Sequence, residues 1–176
     1  MAYNLEDILD IISRFMESGG DVLWLIACLT FVLWTLAIER FWYFRGGLRR
    51  DVDGAIATWE GRRERKSWNA SQVRRRLISE TTIKIRVNLP MIKTLVALAP
   101  LLGLLGTVTG MIEVFNIMAV TGGGDAKSMA GGVSKATIPT MAGMVAALSG
   151  VFANTYVTQI ADRECKLLED HLTTDH

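Results

Sequence analysis

Three stretches of this chain carry no charged side chain: 22–38, 94–112 and 136–161, of 17, 19 and 26 residues. A helix that crosses a bilayer needs roughly 20 mainly apolar residues, with a range of about 17 to 25. The pattern predicts an all-α membrane protein with transmembrane helices at 21–44, 93–119 and 133–160. Half of the 176 residues are hydrophobic, and the net charge of +1 says little. The placement of the charges says more.

Of the 19 basic residues, 14 lie between Arg40 and Lys93. The first 20 residues hold only Arg14, against Glu6, Asp7, Asp10 and Glu17. Loops rich in lysine and arginine stay in the cytoplasm. The N-terminus is therefore expected on the periplasmic side, with 45–92 cytoplasmic and 120–132 a periplasmic loop. The tail at 161–176 is expected to be cytoplasmic, in keeping with Arg163 and Lys166. No signal peptide is expected, since the start is acidic and no small-residue cleavage site follows the first apolar run. Cys28 in the first span and Cys165 in the tail do not suggest a structural disulfide.

Residues 1–20 read as an amphipathic helix, with Leu5, Ile8, Leu9, Ile12, Phe15 and Met16 at helical spacing. It either lies on the membrane surface or packs on a neighbouring subunit, and the sequence leaves both open. Gly19 and Gly20 allow a sharp turn into the first span. That span ends in Phe41-Trp42-Tyr43-Phe44 beside Arg45, an interfacial anchor. The arginines of 45–92, including Arg62, Arg63, Arg65 and the run Arg74-Arg75-Arg76, read as topogenic charge and a solvated face near anionic lipid headgroups, not as a nucleic-acid surface. Val73, Leu77, Thr81 and Ile85 form one stripe that predicts a packed helix continuing the second span, with a kink at Pro90. The sequon Asn69-Ala-Ser71 falls on the cytoplasmic side and carries no meaning there. Gly124-Asp-Ala-Lys127-Ser128 lacks the glycine that a phosphate loop needs before its lysine. Asp170, His171, Asp175 and His176 read as a solvated tail, so no metal is expected. No cofactor or enzymatic constellation is apparent.

The second span carries Pro100, Gly103, Gly106, Thr107, Gly110 and Glu113, and the third carries Gly143 and Gly150 among alanines. Small residues let membrane helices approach closely. Thr137 and Thr140 lie one turn apart, on a stripe that continues through Met144 and Val151 to Asn154 and Thr158. A threonine in a membrane helix often bonds its own backbone at i−4. Thr107 and Thr140 on two helices rich in small residues point further, to a lined pathway. Neither hydroxyl titrates near neutral pH. If protons move here, the titrating group comes from elsewhere.

Two runs, Ala99-Pro-Leu-Leu-Gly-Leu-Leu-Gly-Thr107-Val108 and Gly143-Met-Val-Ala-Ala-Leu-Ser-Gly150 with Thr140 upstream, give the chain its resemblance to the ExbB, TolQ and MotA group of proton-channel subunits. The likeness is strongest to the short ExbB type of second TonB systems. The resemblance implies a bacterial inner-membrane homopentamer whose second and third helices line a pore. In that pore would sit a single-span ExbD-like partner with a transmembrane aspartate, and the threonines matching Thr107 and Thr140 would face it. Proton passage would move the partner, and the force would reach a TonB-like protein that drives outer-membrane import of the iron-siderophore type. A TolQ-like role in outer-membrane integrity and a non-conducting scaffold are the competing expectations.

One departure from the family pattern stands out. The family often has a glutamate where this chain has Lys135, and a neutral polar residue where it has Glu113. At about 1.5 Å per residue, Glu113 lies roughly 9 Å beyond Thr107 and Lys135 roughly 7.5 Å beyond Thr140. The two charges are expected to pair at the pore mouth, within or between subunits.

Overall fold

The computed structural model describes residues 5–61, 67–121 and 126–172. In order along the chain these form α1 (Leu5–Trp42), a π-helical stretch (Tyr43–Gly47), α2 (Leu48–Glu60), α3 (Trp68–Arg86), α4 (Leu89–Thr121) and α5 (Ala126–His171). Three of these helices, α1, α4 and α5, contain the uncharged stretches and are long and apolar enough to cross a membrane. Arg62, Arg63 and Arg65, the glycines at 122–124, and Asp175 and His176 lie outside the described residues.

The helix α1 is broken at one point, Gly20, where φ is 63° and ψ is −164°. A side chain there would meet nothing within 4 Å, so the constraint is the left-handed backbone and not space. Before the break, Ile11, Ile12 and Phe15 are exposed, as are Asp10, Arg14 and Glu17. Met16 beside them is half-buried.

The break near Pro90 differs from the expected kink. It falls at Val87, which is extended (ψ 139°), and Asn88, at φ 65°. A proline inside a helix clashes with the carbonyl four residues earlier. For Pro90 that residue is Arg86, where α3 stops. Asparagine tolerates the left-handed turn better than most residues. The Asn88 carbonyl then accepts from Ile92 N (3.0 Å), which starts α4. Pro100 and Pro139 sit inside α4 and α5 without ending them.

The chain divides into two compact units, Met1–Leu33 with Thr94–Val151, and Trp34–Lys93 with Phe152–His176. The first unit has a small core of Val22, Ile26, Ala99 and Ala146, flanked by Leu29, Leu102, Ala142 and Ala147. The second has two cores. Leu48, Ile85, Leu89, Val157, Ala161 and Cys165 form one. Ala55, Trp59, Ala70, Leu168 and Leu172 form the other. The α3 stripe is part of this packing: Thr81 and Ile85 are buried, and Val73 and Leu77 half-buried.

The second unit also uses the arginine run unevenly. Arg74 donates to the carbonyls of Leu172 and of Glu169 (3.1 Å for the latter), at the C-terminal end of α5. A cation there satisfies carbonyls that lack helical partners and suits the helix dipole. Arg75 and Arg76 are exposed, and Arg76 pairs with Glu80 one turn on (2.7 Å).

Candidate functional site

In the first unit α4 and α5 run antiparallel along a seam of small residues. A Cβ on Gly143 would lie 2.6 Å from the Ala99 carbonyl oxygen, and one on Gly103 would lie 3.0 Å from Thr140 Cα. Gly106 faces Pro139, and Gly110 faces Ala136. Further along, Gly150 faces Val96 and Leu33, at 2.7 and 2.9 Å for an added Cβ. Small residues repeated at this spacing bring two backbones close, so side chains beside the seam meet across it. Pro100 is exposed and lies off this seam.

Thr107 and Thr140 sit beside this seam, both half-buried. Their hydroxyls are hydrogen-bonded to each other. Thr140 Oγ1 also donates to the Gly103 carbonyl, 2.9 Å away across the interface. Thr140 thus bonds the neighbouring helix and not its own, which close approach at Gly103 makes feasible. Thr109 shows the ordinary alternative, bonding the carbonyls of Leu105 (3.0 Å) and Gly106 (3.1 Å) on its own helix. Thr137 is exposed, outside this pair.

The stretches of α4 and α5 that flank the pair are free of charge. No acidic, basic or histidine residue lies between Lys93 and Glu113 or between Lys135 and Asp162. Around the threonines, Leu104, Val108, Met141 and Met144 are exposed apolar residues. The arrangement can orient, accept from or donate to a passing group, but it cannot itself gain or lose a proton near neutral pH.

Glu113 and Lys135 line one cavity of about 500 Å³ with Gly19, Asp21, Gly106, Gly110 and Gly132. Both are exposed, and none of the four ion pairs among the described residues includes either of them. The expected pair therefore does not form within one chain. The structure adds Asp21 to this cavity, a residue that periodicity alone did not single out. Among the described residues there is no cluster of His, Cys, Asp and Glu able to hold a metal.

Two further residues were missed in the sequence. Pro139 is buried against Gly106 and shapes the seam next to Thr140. A proline within an uncharged run was the available signal. Arg40, in the second unit, is 6% exposed. Its guanidinium grips Glu39 through two nitrogens (2.7 and 2.6 Å) and donates to the Lys84 carbonyl (3.2 Å). Glu39 also accepts from Asn88 (3.2 Å), so the break between α3 and α4 is tied to α1. Beside it, Asp51 on α2 accepts from the Tyr43 hydroxyl (2.7 Å) and from Lys84 (2.9 Å). The Tyr43 bond first, then Lys84, holds the Asp51 carboxyl below the usual carboxylate range.

Comparison with known proteins bears on what the seam does. Residues 43–170 match the model of the MotA/TolQ/ExbB proton channel family. A Synechocystis protein named ExbB-like 1, of the biopolymer transport type, is 32% identical over 170 residues, covering 78% of this chain and 66% of the relative. The biopolymer transport protein ExbB of Xanthomonas campestris is 30% identical over 86 residues, 49% of this chain and 34% of the relative. That of Helicobacter pylori is 36% identical over 76 residues, 43% of this chain and 52% of the relative. The aligned part of the chain thus spans a third to two thirds of the length of these relatives.

Proposed function

The chain belongs to the MotA/TolQ/ExbB proton channel family, and from that premise we propose that it is an ExbB-type subunit of a proton-driven motor in a bacterial inner membrane. It is a multi-pass membrane protein with a transport-energising role. In our reading several copies, a pentamer as the resemblance implies, enclose a pore lined by α4 and α5. A single-span ExbD-like partner in that pore supplies the carboxyl that carries the proton. Its movement acts on a TonB-like protein and so drives outer-membrane import.

One observation supports this reading above the others. The Thr107–Thr140 hydroxyl pair bridges α4 and α5 on a half-buried face with no titratable residue beside it on either helix. A hydroxyl pair of that kind suits contact with a titrating group brought by another chain. In water, exposed apolar residues such as Val108, Met144 and Leu148 would be costly, and in a ring they would face partner, neighbour or lipid.

The test is siderophore uptake in a strain whose only copy carries Thr140→Val, with complex abundance followed by native mass spectrometry. Losing a hydrogen bond to a charged or charge-carrying group costs enough to lower uptake about tenfold or more. Normal assembly with lost uptake supports the motor. Normal uptake with normal assembly removes the pair from the mechanism and leaves a scaffold.

A further inference from the structure

Each of the three uncharged stretches is bounded at one end by a charged residue that the fold brings to the same place: Asp21 before 22–38, Glu113 after 94–112 and Lys135 before 136–161. All three line the cavity of about 500 Å³. That cavity therefore lies where the apolar spans give way to charge. Beside the charges its lining is apolar, with Val22, Val114 and Pro139 buried. Glycines keep it open, and a side chain at Gly20 or Gly131 would meet nothing within 4 Å.

The charges do not cancel. Two carboxylates and one ammonium leave a formal excess of one negative charge per chain, and none of the four ion pairs among the described residues includes any of the three. Lys135 can serve the Glu113 of its own chain or that of a neighbouring copy. Either way one carboxylate, that of Asp21, is left over. An unpaired charge at the edge of the hydrocarbon is costly. The cavity thus calls for a cation found at headgroup depth.

From this we propose that the cavity is a lipid site, which takes the headgroup of a zwitterionic phospholipid bearing a primary amine, of the phosphatidylethanolamine kind, with its ammonium on Asp21. The inference needs only that the chain spans a membrane and is independent of the motor reading. A primary ammonium brings three N–H donors to a carboxylate, which only accepts. A choline head brings none. Quaternary ammonium groups are recognised by aromatic rings, and no aromatic residue lines this cavity. An anionic headgroup adds to the negative excess and does not offset it.

Asp21 has a structural role open to it as well. It follows the break at Gly20, where a helical run restarts and a carboxylate suits the helix dipole. Asparagine serves a helix start equally well, so that role predicts no change of lipid preference on Asp21→Asn.

The experiment is native mass spectrometry of the purified complex, equilibrated with equal amounts of phosphatidylethanolamine, phosphatidylcholine and phosphatidylglycerol of matched acyl chains. The parent is expected to retain the ethanolamine lipid over the choline lipid by about three- to fivefold, as suits one partly exposed ion pair. Asp21→Asn should bring that ratio close to one, and Asp21→Glu should keep it. Equal retention by the parent, a preference for the anionic lipid, or an unchanged ratio in Asp21→Asn would each overturn the inference. If free ethanolamine abolishes the preference, the cavity reads a soluble amine and the lipid assignment falls. Should the asparagine chain fail to assemble, Gly131→Leu adds bulk to the cavity lining and is expected to lower the ratio in the same direction; a ratio it leaves unmoved counts against the site.

Discussion

At the residue scale, the chain separates polar groups that are committed from those that are available. Thr107 and Thr140 owe their pairing to Gly103, whose missing side chain lets the Thr140 hydroxyl reach a carbonyl on the other helix. Arg40 is a committed cation. Its planar fork serves Glu39 and the Lys84 carbonyl together. Arg40→Ala is expected to cost about 1–3 kcal/mol, since it removes charged hydrogen bonds from a buried site. Arg40→Lys should recover little, because one ammonium cannot grip a carboxylate through two nitrogens and also reach the carbonyl. Thermal unfolding of the purified complex reads both, and a lysine variant as stable as the parent would remove the fork from the argument. The threonines were legible in the sequence because polar atoms stand out in apolar runs. Arg40 was not, because a basic residue at the end of a span reads equally well as an anchor, and only its burial reveals the grip.

At the scale of elements, the helices and their apolar faces were legible because length and absence of charge constrain a membrane segment strongly. The breaks were harder to place. Pro90 signalled an interruption, yet the interruption belongs to Asn88, because the proline acts on the carbonyl of Arg86 and the chain turns before reaching it. Asn88 therefore carries both the left-handed backbone and the bond to Glu39. Asn88→Ala should lose stability by about 1–2 kcal/mol, combining a lost hydrogen bond with backbone strain. Asn88→Gly keeps the backbone at ease and should lose less. If the two variants melt at the same temperature, the turn is not strained. The glycines also divide by element. Gly143→Ala puts a carbon 2.6 Å from the Ala99 carbonyl oxygen and should force the seam apart, with loss of assembled complex. Gly54→Ala in α2 meets open space and should stabilise by about 1 kcal/mol through helix propensity alone. Native gels of the two variants side by side check the contrast.

At the scale of the whole molecule, one chain leaves large apolar faces uncovered. Its long helices leave Trp24, Phe31, Leu104 and Val108 exposed, together with Met144 and Phe152. Lipid tails can cover such faces, but they cannot match the charges of Glu113 and Lys135. Both charges line the same cavity, on helices that run antiparallel, and no ion pair among the described residues includes either of them. An isolated charge near the end of a span is costly unless it reaches headgroups or a partner. In a ring, Glu113 of one copy and Lys135 of the next can supply each other. Lys135→Met should then lower the fraction of assembled ring, by about three- to tenfold for a partly desolvated pair worth roughly 1 kcal/mol or slightly more. The loss arises because Glu113 is left without its cation. Glu113→Gln added to Lys135→Met should restore much of the assembly, since no bare charge remains. Headgroup contact predicts a different pattern. There each single change acts alone, the double variant shows their sum, and anionic lipid modulates the lysine only. Native mass spectrometry of the four proteins, parent, two singles and the double, decides between the pair and the headgroups. A double variant that is worse than either single would exclude coupling between the two charges.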